Sequence, residues 1–159
     1  MHLSGQIAKH FREVFFGGNW TSVNLKDTLK TITWQQATRK VHSCNTITAL
    51  VYHIGYYVSA VTKVLQAEPL NAHDKYSFGH PPVQSREDWE ALVNKTLADA
   101  EQFAVLIEAL PEKKLEENFV EEKYGIYYRN LLGIIEHTHY HLGQIVIIKK
   151  VILSEEQES

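Results

Sequence analysis

Hydrophobic residues recur every three or four positions along four long segments of this chain. The segments cover residues 3–16, 45–66, 85–110 and 124–153. This spacing places apolar side chains on one side of an α-helix, whereas a half-buried strand would alternate apolar and polar residues. The pattern therefore predicts four long amphipathic helices and no β-sheet.

Local breaker and capping residues mark the gaps between these segments. Gly17 and Gly18 end the first long helix, and residues 23–29 have the apolar spacing of a short helix. Thr33, followed three residues later by glutamine, has the sequence of a capping box, and Ser85 is placed to cap the third long helix. A proline at position 111 suits the first turn of a short extra helix that reaches position 115.

The last long helix carries the clearest apolar seam. Lys149 and Lys150 fall outside this seam and are predicted to be solvated, and residues 154–159 are predicted to form a frayed acidic tail after a domain spanning residues 1–153. The seam residues are Leu131, Ile135, Thr138, Leu142, Ile145, Ile148 and Ile152.

Four long helices without strands predict an all-α fold, a four-helix bundle. The connection over residues 67–84 is longer than the roughly 2–8 residues that join adjacent antiparallel helices. We therefore expect a crossover connection that lets the second and third long helices run parallel.

Composition and charge narrow the function classes. The chain has 159 residues, which is one domain, and its net charge of −3 argues against nucleic-acid binding through a basic face. No export signal and no span of about 20 apolar residues is visible, so we expect a cytoplasmic protein without a membrane partner. Cys44 is the only cysteine against nine histidines, so a metal would be held mainly by histidine, carboxylates and water.

Two of these histidines, His137 and His141, lie four residues apart in the last helix. They are about 40° apart around the helix axis, one turn above the other, which is the spacing by which two imidazoles reach one metal ion. His53 lies on the edge of the apolar side of the second long helix and is the best third ligand. His139 projects elsewhere and Glu136 points outward.

The alternative for any one histidine is a structural role. A lone histidine beside an apolar face is more often a hydrogen-bonded structural residue than a ligand, but a pair at this spacing with a third on another helix favours a metal. Zinc proteases carry glutamate directly after the first histidine, and here that position is Thr138. Protease chemistry is therefore disfavoured. The apolar spacing of the first helix is compatible with an inward-facing His10 side chain. We predict that His2, His42, His73 and His80 do not bind a metal.

Two phrases of the sequence resemble the DinB/YfiT-like superfamily of metal-binding four-helix bundles. Residues 45–54 (NTITALVYHI) are similar to its second helix, and residues 135–145 (IEHTHYHLGQI) are similar to its last helix. The resemblance implies that His53, His137 and His141 are the metal ligands. It also implies a divalent ion such as nickel or zinc, a homodimer, and a small-molecule substrate. Characterised relatives include S-transferases and isomerases that use a low-molecular-weight thiol.

Three neutral imidazoles leave a metal an open position, which serves either a thiol cofactor or an activated water. The leading hypothesis is a metal-dependent enzyme such as a thiol S-transferase. The alternatives are a metal-dependent hydrolase, a non-catalytic metal or small-ligand binding protein, and a purely structural bundle. Gln144, Tyr57 and Asn130 are candidates to orient a ligand or line the pocket. Arg129 and Lys123 are candidate anion contacts at the mouth of the bundle, although solvated charge is the preferred interpretation for both.

Overall fold

The computed structural model describes residues 2–158, and within that range the chain is helical with no β-strand. The all-α prediction is confirmed. Single 3₁₀ turns lie at Asp74–Tyr76, Glu112–Glu116 and Glu122–Tyr124, the second of them at the short extra helix predicted after Pro111. The α-helices are α1 (Leu3–Phe16), α2 (Leu25–Lys30), α3 (Trp34–Thr38), α4 (Ile47–Leu65), α5 (Arg86–Glu108) and α6 (Tyr127–Gln157).

Capping explains where these helices begin and end. Thr33 and Gln36 form the predicted capping box of α3, and Ser85 accepts a hydrogen bond from the first turn of α5. Thr46 does the same for α4. After α1, Gly17 adopts a φ of 112°, a left-handed conformation that disfavours any residue with a Cβ.

The long helices surround one apolar core. Helix α5 packs against α1 and α4, and α6 packs against the same two helices. At the centre, the ring centroids of Phe11 and Phe15 lie 4.7 Å apart, and that of Phe103 lies 4.8 Å from Phe11 in an edge-on contact. All seven predicted seam residues of α6 are buried. The seam therefore sets which side of α6 faces the other helices.

The end of α6 differs from the prediction. The helix continues to Gln157 instead of fraying after position 153. Arg39 pairs with Glu155, and the Gln36 side chain donates to Glu156. The acidic residues are thus held by the α3 segment, a contact that helical periodicity does not reveal.

The environment of Lys149 also differs from the prediction. It is half-buried, and its Nζ donates to the Thr28 carbonyl at 2.8 Å and to the Thr31 hydroxyl at 2.7 Å. Burial lowers its pKa from the usual lysine value. Lys149 therefore ties α6 to the end of α2, whereas Lys150 is exposed as predicted.

We expect Arg39→Gln to loosen the last turn of α6 with little effect on the rest of the fold. The change removes an exposed ion pair, and such pairs contribute only about 0–1 kcal/mol to the free energy of unfolding. Hydrogen exchange should accelerate at the amides of residues 153–157 and not in α1. Unchanged exchange at those amides would show that the ion pair does not hold the turn.

Within residues 2–158, no helix is both long and apolar enough to cross a membrane.

Candidate metal centre

Helices α4 and α6 bring three imidazole rings together. The Nε2 atom of His137 lies 3.0 Å from Nε2 of His53 and 3.1 Å from Nε2 of His141. Nitrogen atoms bound to one tetrahedral zinc ion at 2.0–2.1 Å are about 3.3 Å apart, which is close to these separations. Side chains that the sequence places 84 positions apart thus converge on one point.

The outer nitrogen atoms of two rings are held by neighbouring side chains. The Ser77 hydroxyl donates its proton to the Asp74 carbonyl at 2.7 Å, so it accepts a hydrogen bond from Nδ1–H of His53 at 2.9 Å. The Gln144 amide oxygen accepts from Nδ1–H of His141 at 2.7 Å. With its proton on Nδ1, each ring turns the lone pair of Nε2 towards the common point.

Hydrogen bonds among the three rings cannot pair all three Nε2 atoms. His53 and His141 both present acceptors, and Nε2 of His137 carries at most one proton and can donate it to only one of them. Buried lone pairs that face each other are costly unless a shared cation binds them. His53 is 5% exposed and His141 is 7% exposed, so both rings are largely shielded from bulk water. The donor set therefore fits a divalent ion of nickel or zinc type, which prefers imidazole ligands.

Burial and mutual repulsion keep the three rings neutral. Burial, together with the nearby His141 and His53, lowers the pKa of His137 to about 4. Burial is also the main cause that lowers the pKa of His53 and of His141. At pH 7 the rings are therefore in the unprotonated form that binds metal ions.

The connection between α4 and α5 supplies contacts that the sequence did not reveal. Phe78 stacks on the His53 ring, with the two centroids 3.9 Å apart and the planes 7° from parallel. Ser77 is fully buried beneath the same ring. The only sequence signal for these residues is the unusual length of the connection, because long ordered loops are commonly functional.

Two further predicted neighbours lie where orienting residues are expected. Gln144 holds His141, which lies three residues earlier on α6. The Tyr57 ring lies edge-on to His53 and His137, and its hydroxyl donates to the Asp74 carboxylate at 3.0 Å. Burial and this hydrogen bond raise the pKa of Tyr57, so the phenol stays protonated at neutral pH.

Asn130 has a different role. Its side-chain amide donates to the carbonyls of Tyr124 and Ile126 at 2.9 Å, which fixes the chain where it enters α6. Of the two predicted roles, orienting a ligand or lining the pocket, Asn130 has the second. Its side-chain amide is engaged with the backbone.

A cleft of about 630 Å³ opens beside His137. It runs along α6 past Tyr57 towards Arg129. Tyr124 and Tyr128 also line this cleft. Because His137 is more exposed than the other two ligands, the free side of the metal centre faces the cleft.

The other histidines do not join the centre. His10 is exposed, so the expectation that it might face inward is wrong, and its ring lies 6.4 Å from that of His139. His139 is half-buried and projects away from the triad, as predicted. Within residues 2–158, the triad is the only group of three or more metal-binding side chains found close together. The Cys44 thiol is free and exposed.

Comparisons with protein-family models, with curated proteins and with solved structures give no match for this chain.

Replacing Ser77 with alanine should weaken metal binding by about 10–100-fold, the usual effect of removing a group that orients a metal-bound histidine. The change takes away the acceptor that keeps the proton of His53 on Nδ1. Competition with a chelator of known affinity measures the effect. Ser43→Ala, at an exposed serine, is the matched control, and equal affinities for the two variants would contradict the assigned role.

Proposed function

We propose that this protein binds one divalent metal ion, nickel or zinc, at His53, His137 and His141 and uses it in catalysis. The observation that carries the proposal is the convergence of three Nε2 lone pairs, two of which are fixed by Ser77 and Gln144. A purely structural bundle would not need to bury three imidazoles whose facing Nε2 atoms cannot all be paired by hydrogen bonds to one another.

The favoured reaction is transfer of a low-molecular-weight thiol to an electrophile. A divalent ion held by neutral imidazoles lowers the pKa of a thiol or of water next to it. The protein contributes the cleft beside His137, which admits a small molecule, and Tyr57, whose ring shields one side of the centre. In the transfer, the thiol sulfur forms the new C–S bond, and its proton and the leaving group depart to solvent.

A metal-dependent hydrolase is the alternative, because the same centre would serve water as readily as a thiol. The cleft is lined mainly by apolar and aromatic side chains, which suits an apolar carbon electrophile. This lining favours thiol transfer over hydrolysis.

Two further features belong to the same proposal. We infer a DinB-like four-helix bundle built from α1, α4, α5 and α6, with the connection between α4 and α5 as its crossover. We also infer a homodimer, supported by Tyr140 and Ile147, which lie seven residues apart on α6 and are each 65% exposed.

The test compares metal-loaded protein with metal-free protein in two assays. One measures conjugation of glutathione to 1-chloro-2,4-dinitrobenzene, and the other measures hydrolysis of p-nitrophenyl acetate. Metal-dependent conjugation supports the proposal, and metal-dependent hydrolysis alone would replace it with the hydrolase. Bound metal without turnover of either substrate class would leave a non-catalytic binding protein.

A further inference from the structure

The cleft beside the metal centre contains an arginine without an acidic partner. Arg12, Arg39 and Arg86 each pair with a glutamate. Arg129 instead donates one hydrogen bond, at 3.2 Å, to the carbonyl of Tyr124, and among residues 2–158 no carboxylate pairs with it. The remaining donors of its guanidinium are available to a ligand in the cleft.

The cleft between Arg129 and the triad has a mainly apolar and aromatic wall, in which the Asn130 amide nitrogen is engaged with the backbone. A long polar ligand would leave its middle hydrogen-bonding groups unpaired along this wall, whereas an alkyl or aryl body would pack against it. The apolar and aromatic side chains of the cleft include Leu70, Phe119, Tyr124, Tyr128 and Leu132.

The two ends of the cleft differ in charge. Arg129 and His137 are eight residues apart on α6, which corresponds to about 12 Å along the helix axis. Glu136 lines the cleft next to His137 and would repel an anion at that end. Lys123 does not compete for the anion, because it already pairs with Glu121 at 2.9 Å. Arg129 is therefore the unpaired cationic side chain of the cleft that can bind an anionic group, whereas the proposed metal would take the group that coordinates zinc or nickel.

We propose that the small molecule entering beside the metal is an elongated amphipathic carboxylate. Its carboxylate binds Arg129, its apolar body lies along Leu132 and Tyr128, and its reacting end reaches His137 and the metal. This assignment rests on the proposed metal-dependent function. It adds the substrate class and names Arg129 as the residue that determines specificity.

Calorimetric titration with three thiol probes tests the assignment. On zinc-loaded wild type, 8-mercaptooctanoate should bind about two- to fivefold more tightly than 8-mercapto-1-octanol, as expected for a charge pair at an exposed arginine. Arg129→Gln should remove this preference. The probe 3-mercaptopropionate is too short to join the two ends, so Arg129→Gln should not change its affinity.

Arg86→Gln provides the matched control, because it removes the same charge from an exposed arginine of α5 that does not line the cleft. This variant should keep the carboxylate preference of the wild type. A preference that is absent from the wild type, or that survives Arg129→Gln, would overturn the assignment.

A zinc titration in the same calorimeter separates this inference from the proposed function. If zinc binds and the carboxylate preference is missing, only the substrate class is wrong. If zinc does not bind, the proposed function fails, and the same probes on metal-free protein still decide the role of Arg129. A preference that Arg129→Gln abolishes there would support that role, and no preference would overturn it.

Discussion

Replacing His137 with alanine is expected to weaken binding of nickel or zinc by at least about a hundredfold, beyond the upper end of what loss of an orienting group causes. His137 is the central residue of the triad, because its Nε2 lies within 3.1 Å of Nε2 on both other rings. Without it, His53 and His141 remain as two ligands on different helices. The affinity is measured by competition with a chelator and by metal content after dialysis.

His139→Ala is the matched control for this experiment. It removes an imidazole from the same helix two residues away, at a half-buried position outside the centre. Its metal affinity should equal that of the wild type. Stoichiometric binding by His137→Ala at wild-type affinity would show that the metal is held elsewhere.

Replacing Phe11 with alanine is expected to lower the free energy of unfolding by about 3–5 kcal/mol. Phe11 is fully buried and packs against Phe15 and Phe103, so its loss leaves a cavity where α1 meets α5. Domains of this size are stable by only about 5–15 kcal/mol, so the change removes a large share of the total. Denaturant unfolding monitored by circular dichroism measures the effect.

Trp20→Ala controls for the loss of an aromatic ring as such. The Trp20 side chain is fully exposed, so its removal should change the free energy of unfolding by no more than about 0.5 kcal/mol. A small effect of Phe11→Ala, similar to that of Trp20→Ala, would contradict the position of the core between α1 and α5.

Helix positions could be predicted from the sequence wherever the determining residues are local. The bounds of α1 follow from its apolar spacing and from Gly17, and the start of α5 follows from Ser85. The start of α6 was placed three residues too early, because Glu122–Tyr124 forms a separate 3₁₀ turn that Gly125 closes with a φ of 73°. Apolar spacing alone does not distinguish that turn from helix.

Contacts between distant segments account for the larger differences. Lys149 was assigned to solvent from its angle on α6, but residues more than a hundred positions away accept its hydrogen bonds. The tail after position 153 was expected to fray, and Arg39 instead holds it in the helix. Such partners follow from how α2 and α3 fold back onto α6, and no local pattern encodes that.

The residues of the candidate metal centre also differ in how far local sequence patterns predict them. His137 and His141 could be predicted because their spacing matches the helical turn, and His53 because it lies at the edge of the apolar side of α4. Ser77 is 24 positions from His53, in a segment without periodicity, so its hydrogen bond to that ring could not be predicted.

The central claim is that one divalent ion binds between His53, His137 and His141, and anomalous diffraction from crystals grown with nickel or zinc tests it most directly. We predict a single strong peak in the anomalous difference map, about 2.0–2.1 Å from Nε2 of each of the three rings. Crystals of metal-replete protein with no peak there, or with the strongest peak elsewhere on the chain, would contradict the claim.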